Sequence, residues 1–295
     1  MKKILFLSNG KAYLPEIEAY KKFFSEYICI DSRNEKNINL YEYDLIWKFM
    51  GIDLGKIDRP VIHEYASASV GIFPKVKNTI KSLLNSKPSA RIFLNEEVRK
   101  QFVFNDRVPC YYRDMGIDCS FFINNSNKKY DFLYIGDISR GRNVDVLLRK
   151  FVFHFPENTI LLIGKYEKDL YLKYRSYKNI HFSGYIPYQK VPLLASECKY
   201  GINYIPDIYP YNIQTSTKLL EYLALGLKVI TTDYCWINKF ENEQGMRFFK
   251  ISEDFSNFNI NNISQFQFVN KDISKLKWHK ILEVSGLKEY IEKII

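Results

Sequence analysis

Residues 204–234 read YIPDIYPYNIQTSTKLLEYLALGLKVITTDY. A loop rich in proline and tyrosine comes first. Thr215, Ser216 and Thr217 then precede the apolar-periodic run Lys218 to Leu225, and Gly226 follows it. Hydroxyl residues before such a run predict a helix start, and glycine just after it predicts a stop. Val229-Ile230-Thr231-Thr232 predicts a buried strand ending at Asp233. Free backbone N–H groups at a helix N-terminus suit a phosphate or diphosphate. Glu221, one turn further on, is placed to accept hydrogen bonds from sugar hydroxyls.

Outward from this stretch the chain alternates short apolar runs with helical ones. In the first half, Ile4–Leu7, Tyr27–Asp31, Asp44–Gly51, Pro60–Tyr65 and Arg91–Asn95 read as strands, the last of them closing the sheet. Glu16–Tyr27 and Pro74–Ser86 read as helices. In the second half, Asp131–Gly136, Thr159–Gly164 and Ile180–Ile186 read as strands, and Val144–Phe151 and Val191–Cys198 as helices. Strand–helix alternation implies βαβ units and parallel, doubly wound sheets. Ligands bind such sheets beyond the carboxyl ends of the strands. That places Ser8-Asn9-Gly10, Gly51 and His63-Glu64 on one rim. Asn124-Asn125-Ser126-Asn127 reads as a polar linker. The domains expected are 1–118, joined by a C-terminal helix at 277–295, and 127–276.

A chain of 295 residues with 46% hydrophobic content has room for two such domains. Its formal charge of +10 favours anionic partners such as nucleotide phosphates or an anionic membrane surface. No nucleic-acid motif accompanies the charge, so nucleic acid is not expected as a partner. Five scattered cysteines without CxxC spacing fit a reduced, cytoplasmic chain and no metal site. The apolar run Ile4–Leu7 is too short for a signal peptide, and no stretch is long enough to span a bilayer. Attachment to a membrane would then be peripheral. The helix from Pro74 carries Val76, Ile80, Leu83 and Leu84 on one face. From Phe73 to Arg91 there are five basic residues and no acid. This face suits an anionic lipid surface or a pyrophosphate-linked acceptor, or is the solvated side of a packed helix.

The motif Ser/Thr-x-Lys-Leu-x-Glu-Tyr-Leu-Ala-x-Gly-x-x-Val-Ile resembles the donor-site signature of GT-B glycosyltransferases, in particular the family 4-like group. The order of elements from Tyr130 to Asp233 follows the same pattern. So do the crossing segment Cys110–Phe122 and the closing Trp278 segment. The resemblance implies two Rossmann-like domains facing a central cleft, with the last helix returning to the first domain. It implies a hexosyltransferase whose substrate is a nucleoside-diphosphate sugar, a UDP-sugar first of all, and which uses no cofactor. By the same resemblance Glu221 binds the ribose, and Gly136, Arg140 and, second, Arg142 serve the diphosphate. Ser216, Thr217 and Lys218 complete the phosphate cradle, and Gly184 and Tyr185 lie in the base-holding loop.

The acceptor implied is a glycan or lipid-linked sugar of bacterial surface polysaccharide synthesis, and the expected course is retaining. One position departs from the pattern. Ile213 stands where retaining members carry a second Glu, eight residues before Glu221. Asp207 is the available replacement. Tyr209, Tyr211, Asn212 and Gln214 are further candidates for sugar hydroxyls. His63 and Glu64 are candidates for the base that an inverting route requires. A non-catalytic subunit and a nucleotide-sugar epimerase of the same fold remain open at this point.

Overall fold

Six short runs in each half of the chain carry their apolar side chains on both faces, and each set assembles into an all-parallel sheet covered on both sides. The computed structural model describes residues 1–8 and 14–295. Asn9 and Gly10, placed on the rim by the sequence, lie outside the described residues.

The described residues divide into two compact units. Unit 1 comprises Met1–Gly116, Ile213–Thr215 and Lys275–Ile295, and unit 2 comprises Ile117–Asn212 and Ser216–Ser274. The strands of unit 1 are β1 (Lys3–Leu7), β2 (Ile28–Asp31), β3 (Leu45–Phe49), β4 (Val61–Tyr65), β5 (Ala90–Phe93) and β6 (Cys110–Tyr112). They pair in the order β2-β1-β3-β4-β5-β6. Helices α1 (Pro15–Phe23), α2 (Pro74–Leu84) and α3 (Glu96–Arg99) connect them. The sheet therefore does not close at the strand read from Arg91. Cys110–Tyr112, read as crossing segment, pairs with β5 through Arg91–Cys110 to Phe93–Tyr112. It is three residues long and half exposed, so it carries no alternating pattern for the eye to catch.

Unit 2 contains β7 (Tyr130–Ile135), α4 (Val144–Phe153), β8 (Ile160–Ile163), α5 (Lys168–Tyr174), β9 (Ile180–Gly184) and α6 (Val191–Ala195). It continues through β10 (Cys198–Asn203), α7 (Thr217–Ala224), β11 (Lys228–Thr232), α8 (Cys235–Gln244), β12 (Phe249–Ile251) and α9 (Ile260–Gln265). Its strand order is β12-β11-β10-β7-β8-β9, the dinucleotide-binding order, with the reversal between β7 and β10.

The tail returns to unit 1 as α10 (Trp278–Glu283) and α11 (Leu287–Ile294), broken at Gly286 with φ 71°. Trp278, Leu282, Leu287 and Ile291 join Ile4, Phe6, Trp47 and Ile62 in one buried cluster. Each such side chain contributes about 2 kcal/mol by burial, so the tail is part of this core. Gly116 makes room for it, since a Cβ there would lie 2.4 Å from the Trp278 ring.

Candidate functional site

The loops after β7 and β10 leave the sheet in opposite directions, which opens a crevice at the carboxyl ends of these strands. Helix α7 is locked against that point. A Cβ at Gly201 would meet the Tyr222 ring at 2.4 Å, so only glycine lets α7 lie this close to β10. The Tyr222 hydroxyl then accepts from the Ile135 N–H at the end of β7, at 2.8 Å.

The N-terminus of α7 faces the crevice, but not in the manner expected of all its residues. Ser216 is buried and donates its hydroxyl to Asn203 Oδ1 at 2.7 Å. Asn203 in turn donates to Thr231 Oγ1 and to the Tyr234 hydroxyl. The Ser216 side chain is therefore committed inward and makes no side-chain cap. Of the groups that the sequence suggests for a phosphate, this leaves the first-turn N–H groups, half-buried Thr217 and Lys218.

Lys218 Nζ stands 4.6 Å from the centre of the Tyr134 ring and donates to the Tyr204 carbonyl at 3.4 Å. Burial, and then the nearby Arg142 charge, push its ammonium down to about 7. Glu221 is also buried and is pushed up to about 7 by that burial. The Tyr188 hydroxyl donates to its Oε1 at 2.7 Å. Arg142 lies over the Tyr211 ring at 4.6 Å. Arg140, the first choice from sequence, is instead exposed and stands 3.8 Å from Asp169. The short 3-10 turn Arg140–Arg142 directs the two arginines differently and brings only Arg142 into the field of Lys218.

Three strands of unit 2 end at glycines of positive φ: Gly136 (139°), Gly164 (145°) and Gly184 (72°). A Cβ on Gly164 would come within 1.9 Å of the Gly136 carbonyl oxygen, so the two turns fit together only as glycines. Tyr185 follows Gly184 as an exposed ring with Lys165 Nζ 5.8 Å from its centre. Asp207 is exposed and accepts from Asn212 Nδ2 at 2.9 Å. Beside it, at the ends of β10, β11 and β12, lies a cleft of about 500 Å³ lined by Asn143, Tyr204, Asp207, Asp233, Lys250 and Phe255 among others.

His63 and Glu64 lie elsewhere, in mid-strand on β4 and fully buried. His63 Nε2 is 3.1 Å from Asp53 Oδ2, and burial pushes the imidazole down to about 4. Glu64 accepts from Trp47 Nε1 at 2.7 Å, from the Tyr20 hydroxyl at 3.1 Å and from the Arg113 guanidinium. Arg113 also reaches Glu16, and its ring neighbours are Trp278 and Tyr20. A base must reach its substrate's proton, and these two side chains are closed off by the core of unit 1. The strand runs on to Tyr65, one residue past Glu64.

Several solved structures match the chain over nearly its whole length. Anabaena HepE, crystallised with UDP-glucose, superposes with a TM-score of 0.66 over 100% of this chain and 97% of that one, at 14% identity. AviGT4, a glycosyltransferase of avilamycin A biosynthesis, gives 0.59 at 11% identity over 99% and 96%. The lipopolysaccharide outer core galactosyltransferase WaaB gives 0.53 at 12% identity over 97% and 99%. The chain has the GT-B fold. No family model matches it, and no curated protein matches its sequence. The likeness is thus one of backbone, and the GT-B resemblance in sequence rests on the α7 motif and the order of elements.

Among residues the sequence reading passed over as site candidates, Tyr188 meets Glu221, Tyr134 meets Lys218 and Gly164 meets Gly136. Gly164 had a signal: strands β7, β8 and β9 each end at a glycine, in Tyr-Ile-Gly, Leu-Ile-Gly and Phe-Ser-Gly. Tyr188 had none, because its contact with Glu221 spans 33 residues. No group of three or more His, Cys, Asp or Glu among the described residues is placed to hold a metal ion.

Proposed function

We propose that this chain is a glycosyltransferase that moves a hexose from a UDP-sugar to a hydroxyl of a glycan or lipid-linked acceptor in bacterial surface polysaccharide synthesis. The observation that carries the reading is the cluster at the β7/β10 reversal. There a buried carboxylate and a half-buried ammonium are displaced toward each other's range, both to about 7, with a second cation beside them. Such a cluster suits a ligand with a diphosphate at one end and vicinal hydroxyls at the other.

In this reading Arg142, Lys218 and the first turn of α7 take the diphosphate, and Glu221 takes the ribose hydroxyls. Tyr185 and the Gly184 turn take the base. UDP in the HepE complexes supports uracil. During transfer the bond from the anomeric carbon to the phosphate oxygen breaks and a bond to the acceptor oxygen forms. UDP leaves with its new charge matched by Lys218 and Arg142. The acceptor proton passes to Asp207 or to the departing phosphate oxygen. The burial of His63 and Glu64 supports a retaining course, since it removes the two base candidates of an inverting one. Five unpaired cysteines support a cytoplasmic setting for the reaction.

The test is a thermal-shift and calorimetric screen of UDP, GDP, CMP, ADP and dTDP sugars on the wild type and Glu221→Ala. Stabilisation by UDP species that collapses in the variant supports the reading. Absence of any nucleotide effect sinks it. Ile213 favours one second reading, a subunit that binds nucleotide without turnover. UDP bound but never released from a UDP-sugar, with any acceptor mixture, would select it.

A further inference from the structure

Helix α2 is turned inside out. Its apolar side chains Val76, Ile80, Leu83 and Leu84 are exposed, while its buried residue is Asn78. Asn78 is 0% exposed and accepts from the Ser69 N–H at 2.9 Å, so a polar side chain anchors the helix to unit 1. The packed amphipathic helix that its spacing allows is not what forms.

Two loop tips extend the apolar surface. The first carries Ile52 and Leu54 and is tied to the end of α2, where Asp53 N–H donates to Asn85 Oδ1 and Ser86 N–H donates to the Asp53 carbonyl. The second carries Ile72 and Phe73, 76% and 74% exposed, and is tied through Lys77 Nζ to the Val70 carbonyl. Phe73 holds a left-handed backbone, φ 52°, at the N-cap of α2. A bulky residue pays for that geometry, and here it presents a bare ring to solvent. Between the tips runs a groove of about 390 Å³, with Ala68, Val70 and Ile80 in its wall and Lys77 and Lys81 also lining it.

Charge decides the occupant. Between Arg59 and Asn95 the sequence holds a single acid, Glu64, which is buried against Arg113. Lys75, Lys77, Lys81 and Lys87 come from the same segment. A second copy of this chain would bring the same lysines face to face across a two-fold axis, which repels. An anionic bilayer supplies both what the apolar tips and what the lysines require.

We propose that α2 and the tips at 52–54 and 70–73 form a docking surface for an anionic phospholipid membrane. The tips and the outward face of α2 enter the headgroup boundary, and the lysines lie among the lipid phosphates. No helix of the described residues is long and apolar enough to cross a membrane, so the contact is peripheral. The inference rests on unit 1 alone and does not depend on the donor-site reading.

The experiment is co-sedimentation of the full chain with vesicles of phosphatidylglycerol and phosphatidylcholine, against vesicles of phosphatidylcholine alone. Binding is expected to the first only and to weaken with salt. Replacing Lys75, Lys77 and Lys81 by Gln should weaken it roughly a hundredfold, at about fivefold per lysine. Ile72→Ser with Phe73→Ser should remove the binding that survives high salt. Thermal melting of each variant, with and without UDP, shows that the fold and the donor site are intact. A wild type that ignores anionic vesicles overturns the proposal, as do variants that sediment like the wild type. A wild-type dimer that Phe73→Ser turns into a monomer also overturns it, because the face then belongs to a second copy. Vesicle binding without any nucleotide effect leaves this inference standing and removes the other.

Discussion

Glu64 and Glu221 are both buried glutamates on parallel α/β scaffolds, and they do opposite things. Glu64 accepts from Trp47, Tyr20 and the Arg113 guanidinium, and its charge is matched in place. Glu221 accepts from Tyr188 and shares its surroundings with a Lys218 that is itself driven toward neutrality. A carboxylate with every lone pair engaged holds a core together. A carboxylate with capacity left over, beside a partly discharged ammonium, is the kind that the proposed function gives to a ligand's hydroxyls. Burial alone does not separate structure from function here; the number of donors does.

The comparison breaks most visibly in unit 1. Arg113→Ala leaves Glu16 and Glu64 buried without their cation and should cost about 3–5 kcal/mol, read as a lowered denaturant midpoint. Retention of wild-type stability would mean that the network is not what holds α1, β4 and α10 together.

Next in size is Glu221. Glu221→Ala should cost about 1.5–3 kcal/mol of UDP affinity, measured by calorimetry, with the fold intact. Glu221→Gln sharpens the contrast through pH. The carboxyl is raised from 4.5 to about 7 in the folded chain, so folding takes up a proton between these values. The stability that Glu221 contributes therefore falls as pH rises from 4.5 through 7. The variant should gain on the wild type in melting temperature across that window. Glu64→Gln should lose stability instead.

Lys218 gives the third test. A diphosphate at the α7 N-terminus restores its proton, so binding takes up a proton above pH 7. Affinity for UDP should fall by up to about tenfold per pH unit above 7, and Lys218→Met should flatten the profile. A flat profile in the wild type would remove Lys218 from the phosphate site. The smallest effect is expected at the surface. Arg140→Ala should change affinity by less than about 0.5 kcal/mol, whereas Arg142→Ala should cost about 1.5–3 kcal/mol. The reverse order would restore the arginine that position in the motif suggests.

Much of this was legible without coordinates. Apolar runs of four to six residues between helical stretches specify parallel strands, because only a sheet covered on both faces buries both sides of a strand. The α7 stretch is local chemistry: hydroxyls to start a helix, Gly226 to end it, Glu221 one turn in. Its meaning survives transfer from string to structure because helix geometry is set by neighbours in sequence. The strand Cys110–Tyr112 was not legible, since its pairing with β5 bridges 19 residues and its own pattern is too short.

Tertiary structure alone decided which polar residues are used up and which are left over. Ser216 turns inward to Asn203, His63 and Glu64 sink into unit 1, Arg140 stands near Asp169 while Arg142 stands near Lys218, and α2 shows its apolar face to solvent. Each outcome depends on a partner far along the chain, and burial and hydrogen-bond satisfaction are properties of the packed surroundings rather than of a residue's own type. The sequence by itself determined the two sheets and the phosphate-suited helix start. The packing determined which of its charges can meet a ligand.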